Sequence, residues 1–256
     1  MRLAVLSDIH GNLVALEAAL ADLEAAGEMD EIWCLGDLAV FGSRPAECIR
    51  RVRALIEEHG EKKFKVIGGN TDRYLVTGER FPAKAAKDEE TFQKMVRAWG
   101  PINQALLWNA EQISFEDYEF LAKIVGKELR LKAEGYGPVI GYHAIPGDDE
   151  AMLTPDTAEE EALDAMLDRQ GRLGIGGHIH VQMDREVGHW RLVNVGSVGM
   201  AYDNPGKVHW GLFTFDDGAV TVDLRSVAYD TGAAIADLEA VGHPAPDWVA
   251  RTLRPK

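Results

Sequence analysis

Short apolar runs alternate with longer segments of helical periodicity through the first quarter of the chain. The pattern predicts strands at 2–6, 31–35 and 64–67, and helices that run to about residue 26 and from Pro45 to about residue 58. Asn12 is of a type that caps helix N-termini, Pro45 suits a first helical turn, and Gly68-Gly69 stops the third strand. We therefore expect a β-α-β-α-β unit whose strand ends share one sheet edge.

The rest of the chain changes character after this unit. Residues 73–125 have a mostly helical pattern rich in charge and aromatic side chains, and they form either a flank of the main core or a cap over a pocket. The start signal Thr154-Pro155-Asp156 predicts a helix to about residue 168. The other predicted elements are strands near 127–133, 138–142 and 173–176, hairpins that turn at Gly188 and at 216–218, and helices at about 230–241 and 246–253. Because no repeat or low-complexity linker divides the chain, we expect one domain over residues 1–256.

The amino-acid composition argues against several classes of protein. With 27 Lys and Arg against 42 Asp and Glu, the net charge is −15, which argues against general nucleic-acid binding because no basic cluster is evident to hold phosphates. No apolar stretch approaches the ~20 residues of a membrane helix. Asp8 and His10 interrupt the N-terminal apolar run too early for a signal peptide. Cys34 and Cys48 are too few for a disulfide framework, so we expect a cytoplasmic protein. Because bound metal ions can make a locally positive pocket on an acidic protein, we expect a small anionic substrate and not a long duplex.

Side chains with metal-binding chemistry follow or close apolar runs in short glycine-containing clusters. The clusters are SDIHGN at 7–12, LGDL at 35–38, GGNTD at 68–72, GYHA at 141–144, GGHIH at 176–180 and NVGSVG at 194–199. The candidate donors in them are Asp8, His10, Asp37, Asn70, His143, His178 and His180. Carboxylate, amide and imidazole without thiolate suit borderline-to-hard first-row dications. The set therefore predicts a pocket for two divalent metals where strands end and loops begin.

Each donor alone has an ordinary explanation. Asp8 and Asp37 are also common turn or cap residues, Asn70 suits a turn after two glycines, and a single histidine such as His143 is more often an ordinary polar residue. The pair in GGHIH is the least ordinary, because two imidazoles flank one apolar residue directly after a strand. The ordered combination of all the clusters is far more specific than any member of it.

Several neighbouring residues allow two interpretations. Asp72 either orients a ligand or caps the next helix, and Arg73 either meets a substrate phosphate or lies on a solvated helix face. The NVGSVG segment either forms a backbone cradle through Gly196, Ser197 and Gly199 or makes a tight turn. The histidines outside the clusters, which we interpret as structural or solvated, are His59, His189, His209 and His243.

The ordered motifs, together with LVNVGSVGMAYD and the later VAYD, resemble the calcineurin-like metallophosphoesterases, in particular the small prokaryotic phosphodiesterase-like members. The resemblance implies an α/β fold, a four-layer α/β/β/α sandwich with the metals at the sheet edge. It implies that one metal is held by Asp8, His10, Asp37 and His180, and the other by Asn70, His143 and His178, with Asp37 bridging both. Two divalent ions per chain are expected, manganese first, with iron, zinc or nickel as alternatives.

The implied activity is hydrolysis of phosphoesters, phosphodiesters first, by in-line attack of a metal-bridging hydroxide on a small phosphoester substrate. The alternatives are a phosphomonoesterase, a protein or dinucleoside polyphosphate phosphatase, or a catalytically silent interaction scaffold. One position departs from the family pattern: many members have histidine after the asparagine of the third motif, whereas this chain has Thr71. Since threonine cannot act as a general acid near neutral pH, we expect a preference for good leaving groups.

Overall fold

The computed structural model describes residues 1–81 and 85–255, and that part of the chain contains two five-stranded sheets and eight helices. The strands are β1 (Arg2–Leu6), β2 (Glu31–Cys34), β3 (Phe64–Val66), β4 (Leu129–Ala133), β5 (Gly137–Gly141), β6 (Leu173–Gly176), β7 (Gln182–Val187), β8 (Trp190–Val195), β9 (Lys207–Asp216) and β10 (Ala219–Ala228). The helices are α1 (Leu13–Ala25), α2 (Pro45–His59), α3 (Asn70–Thr77), α4 (Glu89–Gln112), α5 (Phe115–Ile124), α6 (Glu159–Asp164), α7 (Thr231–Ala240) and α8 (Pro246–Leu253).

The first sheet has the strand order β10-β9-β1-β2-β3. The three N-terminal strands are parallel, and β9 pairs antiparallel with β1. Asn12 caps α1 by accepting a hydrogen bond from Ala15 N at 3.1 Å, and Pro45 occupies the first turn of α2. The predicted β-α-β-α-β unit is therefore present, with its strands ending at one edge of the sheet.

The second sheet has the strand order β4-β5-β6-β8-β7. Its central strands β5, β6 and β8 are parallel, while β4 and β7 pair antiparallel at the two edges. The β7–β8 hairpin turns at His189 and Gly188, as predicted, and β9 and β10 form the second predicted hairpin. The parallel centre gives this sheet its own carboxyl edge, and that edge carries the histidine clusters.

Alternate side chains of β1 face two different layers of the hydrophobic core. On β1, Leu3 and Val5 face the second sheet and pack in a buried cluster with Trp33 and Phe213. The intervening residue Ala4 faces the helical side of the first sheet, where it joins a separate cluster with residues of α1 and α2. A third cluster lies between the second sheet and α6. The order helix, sheet, sheet, helix confirms the predicted four-layer α/β/β/α sandwich.

Two predicted segments differ in detail. The helix expected from residue 154 to about 168 is only six residues long: it begins at Glu159, after a turn in which Thr157 Oγ1 accepts from Thr154 N at 2.8 Å, and it ends at Asp164. The segment 73–125 is helical in α3, α4 and α5, but residues 82–84 of it lie outside the described part of the chain. The C-terminal half of α4 packs into the main core, which agrees with the flank alternative. The expectation of one domain stays a prediction.

Among the described residues, none of the helices combines the length and the apolar character needed to cross a membrane.

Candidate metal centre

All seven predicted donors lie together at the carboxyl edges of the two sheets. From the first sheet, Asp8 follows β1, Asp37 follows β2, and Asn70 begins α3 just beyond β3. From the second sheet, His143 follows β5, and the two histidines of GGHIH follow β6. Parallel strands bring their carboxyl ends to the same side, so each sheet presents its donors toward the other.

Most of these donors have an unusual backbone conformation. Five of the seven have φ in the left-handed region: Asp8 at 57°, His10 at 51°, Asp37 at 53°, His178 at 69° and His180 at 57°. Residues other than glycine seldom adopt this region, and when they do they tend to cluster at functional sites whose surroundings hold the conformation. The seven donors therefore occupy a tightly constrained backbone frame.

Each carboxylate is oriented by one oxygen and presents the other to the centre. Asp8 Oδ2 accepts a hydrogen bond from His178 N at 2.9 Å, while its Oδ1 is buried without a hydrogen-bond partner. Asp37 Oδ1 accepts from Thr71 N at 2.9 Å, which leaves Oδ2 directed at the imidazoles. A buried carboxylate oxygen without a donor is unfavourable, so Asp8 Oδ1 has the environment of a metal ligand.

Backbone carbonyls orient three of the imidazoles. His143 Nδ1 lies 2.8 Å from Leu35 O and His180 Nδ1 lies 2.9 Å from Met200 O, so in both rings Nδ1 donates and Nε2 is free to bind a metal. His178 is reversed: its Nε2 lies 3.2 Å from Glu150 O, and its Nδ1 faces the centre. These contacts fix which nitrogen of each ring is the ligand atom.

The sequence analysis assigns the donors to two groups that share Asp37, whereas, among the described residues, the carboxylate and histidine atoms that lie close enough to hold an ion form two triads that share Asp8: Asp8 with His10 and His180, and Asp8 with Asp37 and His143. In the His180 group (Asp8, His10, Asp37, His180), His180 Nε2 lies 3.3 Å from Asp8 Oδ1 and 2.9 Å from His10 Nε2. In the Asn70 group (Asn70, His143, His178, with Asp37), the Asn70 Oδ1 atom lies 3.1 Å from His143 Nε2 and 3.2 Å from His178 Nδ1.

Asp37 Oδ2 stands between the groups, 3.5 Å from both His10 Nε2 and His143 Nε2. Asp8 Oδ1 is also near both, at 3.9 Å and 4.0 Å from the same two nitrogens. Carboxylate oxygens equidistant from two sets of donors suit a pair of metals.

The protonation states agree with cation binding. Burial raises the pKa of Asp8, but His180 and the other imidazoles lower it more, and the net pKa lies well below its usual range. Burial and the nearby Asp8 carboxylate raise the pKa of Asp37. Burial lowers the pKa of His10 to about 3 and that of His178 to about 4, so both rings are neutral and can bind a metal. A divalent cation bound beside Asp8 and Asp37 would stabilise the charged form of both carboxylates, including Asp37, whose pKa is raised without it.

Comparison with known proteins decides the family. The calcineurin-like phosphoesterase superfamily domain matches residues 1–218 of the chain. The chain belongs to this superfamily. Metal-dependent hydrolysis of phosphoesters is the chemistry of the superfamily, and the resemblance inferred from the motifs is confirmed.

Individual relatives agree with this assignment. An uncharacterized protein of Methanocaldococcus jannaschii is 29% identical over 271 residues, which cover 98% of this chain and 96% of that protein. The crystal structure of a metallophosphoesterase from Sphaerobacter thermophilus superposes with a TM-score of 0.70 at 24% identity, and the match covers 99% of this chain and 98% of that one. The symmetrical bis(5′-nucleosyl)-tetraphosphatase of Pectobacterium atrosepticum is 33% identical over only 72 residues, 28% of this chain and 24% of that enzyme.

The neighbours of the metallophosphoesterase centre resolve the alternatives left by the sequence. Asp72 caps α3 by accepting from Gly69 N at 3.0 Å, and it also accepts from Leu38 N at 3.0 Å, which holds the loop after Asp37. Arg73 pairs with acidic side chains of the 148–150 loop, and it also lines a cavity beside His143.

The NVGSVG segment supports the loop of Asp8. Gly199 N donates to Asp8 O at 2.9 Å, and Ser197 Oγ donates to the same oxygen at 2.8 Å. The segment therefore holds the backbone of a donor and makes no separate cradle. Of the histidines outside the clusters, His209 and His243 are buried, whereas His189 is exposed.

Sequence reasoning missed several residues around the centre. The Phe41 ring lies 5.0 Å from that of His10, and the Tyr202 ring lies 4.6 Å from that of His180. Asn109 of α4 accepts from Val40 N at 3.0 Å and so fixes the loop that carries Phe41. Tyr202 lies in the MAYD stretch and was within reach of motif analysis, but no local pattern signals Asn109.

Space for a substrate lies beside the Asn70 group. A cavity of about 330 Å³ opens next to His143, and Gly68, Lys127, Tyr142 and Asp148 are among the residues that line it. Pockets of this size hold small molecules.

Proposed function

We propose that the protein hydrolyses small phosphoesters, phosphodiesters first, with two divalent metal ions held by the seven donors. One observation carries the proposal: Asp37 Oδ2 lies at the same 3.5 Å from a nitrogen of each donor group. A carboxylate oxygen in this position can be shared by two metals at the ~3.5–4 Å separation of two-metal sites. Manganese remains our first choice of metal, with iron, zinc and nickel as alternatives: carboxylate and amide oxygens suit manganese, and imidazole nitrogens suit iron, zinc and nickel.

The metals, when bound, supply the Lewis acidity and the activated water of the reaction. The chain supplies the frame. Backbone carbonyls accept from Nδ1 of His143 and His180 and so turn Nε2 of each ring toward the centre, and backbone N–H groups orient the free oxygens of Asp8 and Asp37. Ligands fixed in this way need little rearrangement on binding, which is the basis of electrostatic preorganisation.

No proton donor for the leaving group comes from position 71. The Thr71 hydroxyl donates to Ala39 O at 3.3 Å, and its backbone N–H is used by Asp37. The Thr71 side chain therefore helps to hold the loop after Asp37 in place. We infer that the enzyme favours substrates whose leaving groups depart without a proton, or receive one from solvent.

A second candidate is cleavage of dinucleoside polyphosphates. It is supported by the local match to the Pectobacterium tetraphosphatase, which is limited to 72 residues. The cavity beside His143 is near the lower limit for a ligand of that size, so we rank this substrate class below small diesters.

The state of the two cysteines agrees with the compartment that we propose. Cys34 and Cys48 are both buried and free, and burial raises the pKa of each thiol, so neither is poised to react. We propose that the protein works in a reducing cytoplasm, as one domain.

The test compares bis-p-nitrophenyl phosphate with p-nitrophenyl phosphate after metal removal and reloading with manganese. We expect turnover of the diester to exceed that of the monoester and to depend on nearly two metals per chain. Preference for the monoester would favour the phosphomonoesterase alternative. A protein that binds no metal after supplementation would be the interaction scaffold.

A further inference from the structure

A loop from the second sheet is fastened to the helix that begins with Asn70. Arg73 of α3 donates from Nε to Asp149 Oδ2 and from Nη2 to Asp149 Oδ1, each at 2.8 Å. Its Nη2 also donates to Glu150 Oε1 at 2.7 Å, and the Tyr74 hydroxyl donates to the same carboxylate. Paired N–H donors on one carboxylate are among the strongest and most directional ion pairs in proteins.

The fastened loop contacts the metal centre through its backbone. Glu150 O lies 3.2 Å from His178 Nε2, so this carbonyl accepts a hydrogen bond from the Nε2–H group and leaves Nδ1 as the ligand atom. Among the four candidate imidazole donors, His178 alone presents Nδ1 to the centre. The position of one backbone carbonyl therefore decides which nitrogen of His178 meets the metal.

Helix α3 carries both the anchor and a second donor of the same group. Asn70 is its first residue, and Asn70 Oδ1 lies 3.2 Å from His178 Nδ1. Arg73 follows one helical turn later and holds the loop that orients His178. Helix and loop thus fix two donors of the Asn70 group relative to each other, and α3 also holds the shared Asp37 through Thr71 N.

The guanidinium group of Arg73 is already occupied by carboxylates, although the side chain lines the cavity beside His143. All three guanidinium nitrogens donate to carboxylates, those of Glu79, Asp149 and Glu150. Its side chain is 24% exposed and that of Asp149 is 20% exposed. Release of these contacts would leave acidic groups unpaired in a partly buried position, which is costly.

We propose that Arg73 is a positioning residue of the metal centre, which through Asp149 and Glu150 sets the affinity of the Asn70 group for its metal. This inference rests on the proposed function, since it concerns the same dinuclear site. Residues that orient a metal-bound histidine typically contribute about 10-fold to 100-fold to metal affinity.

The experiment titrates Mn²⁺ into the metal-free full chain and its Arg73→Gln variant by calorimetry, with the spectrum of the loaded protein followed by electron paramagnetic resonance. The matched control is Arg191→Gln. Arg191 forms the same paired contact with Asp184, at 2.7 and 2.6 Å, with 27% and 29% exposure, between β7 and β8. The conservative variant Arg73→Lys keeps the charge but loses the paired geometry.

We expect Arg73→Gln to weaken one Mn²⁺ site by roughly 10-fold or more and leave the other unchanged. The spin-coupled spectrum of a manganese pair should give way to that of isolated Mn²⁺ at intermediate loading. Arg73→Lys should lie between this variant and the wild type, and Arg191→Gln should match the wild type. If Arg73→Gln does not fold, Asp149→Asn tests the same link.

Two results would overturn the inference. One is unchanged affinity at both sites in Arg73→Gln or, where that variant does not fold, in Asp149→Asn. The other is a raised KM with unchanged metal binding, which would make Arg73 a substrate contact. Both differ from failure of the proposed function, in which the wild type itself would bind fewer than two metals.

Discussion

Gly69 offers the sharpest test of the geometry around Asp37. Its φ of −99° and ψ of −171° are open to any residue, so the backbone does not require glycine there. The requirement is space: a Cβ at this position would lie 2.2 Å from Asp37 Oδ1 and 2.5 Å from His143 Cε1. Ordinary carbon contacts begin near 3.5 Å, so a methyl group would displace either donor by about 1 Å.

The size of this displacement determines how much stability and activity we expect Gly69→Ala to lose. Asp37 Oδ1 would lose its 2.9 Å hydrogen bond from Thr71 N, and the shared oxygen Oδ2 would leave its position between the two groups. Overpacking of this kind costs about 2 kcal/mol, which lowers the Tm by roughly 4–8 °C for a chain of this size. A misplacement of 1 Å in a catalytic frame costs about 100-fold in rate. We expect Gly69→Ala to lose activity to about that extent while remaining folded.

The assay measures kcat/KM on bis-p-nitrophenyl phosphate, bound manganese and the Tm in parallel. Gly232→Ala in α7 is the matched control, because its Cβ would meet only the exposed Asp230 side chain, at 3.3 Å. That variant should keep full activity and stay within about 1 kcal/mol of the wild type. Wild-type activity and two bound metals in Gly69→Ala would refute the arrangement of Asp37 and His143.

Other substitutions test the ligand groups, the leaving group and the pH dependence of stability. Asp37→Ala should lose both metals, whereas His180→Ala and His143→Ala should each lose mainly one, as measured by metal content; two metals and full activity in Asp37→Ala would contradict the shared role. Thr71→His should raise turnover of alkyl or nucleoside esters relative to bis-p-nitrophenyl phosphate, and a flat dependence of wild-type rates on leaving-group pKa would show that another residue already donates the proton. Burial lowers the pKa of His243 to about 4, so the unfolded chain binds an extra proton below about pH 6.5, and stability present above that pH is lost by up to about 3 kcal/mol as the pH falls to 4. Urea unfolding of His243→Phe should show a flatter dependence over this window, and an unchanged slope would assign the acid sensitivity to other groups.

The strands and the donor positions were predictable because both depend on local sequence. β1, β2 and β6 coincide with apolar runs that stop at a polar donor or a glycine, and the order of the motifs is specific enough to imply the sandwich. The helix expected from residue 154 begins later than predicted, after a turn that the Thr157 hydroxyl closes. Such local side-chain to backbone hydrogen bonds compete with helix formation, and the sequence alone does not show which of the two forms.

Orientation within the site was not predictable. The motif identifies His178 as a donor, but the choice of Nδ1 depends on Glu150 O, 28 residues away in the chain. The sequence places Arg73 either on a solvated helix face or at a substrate phosphate, because its acidic partners lie 76 and 77 residues further along the chain. Sequence patterns report which side chains are available, whereas the ring nitrogen that faces a metal is decided by distant backbone.

The division of donors between the sheets has a consequence for biosynthesis. Each donor group takes residues from both sheets, so neither exists in the first 140 residues alone, and the His180 group is incomplete until residue 180 has left the ribosome. Before the second sheet is synthesised, the donors available to a metal ion are only Asp8, His10, Asp37 and Asn70, and no second sheet yet holds them together. Metal acquisition should therefore follow the docking of the two sheets, which protects the growing chain from capturing the wrong ion early.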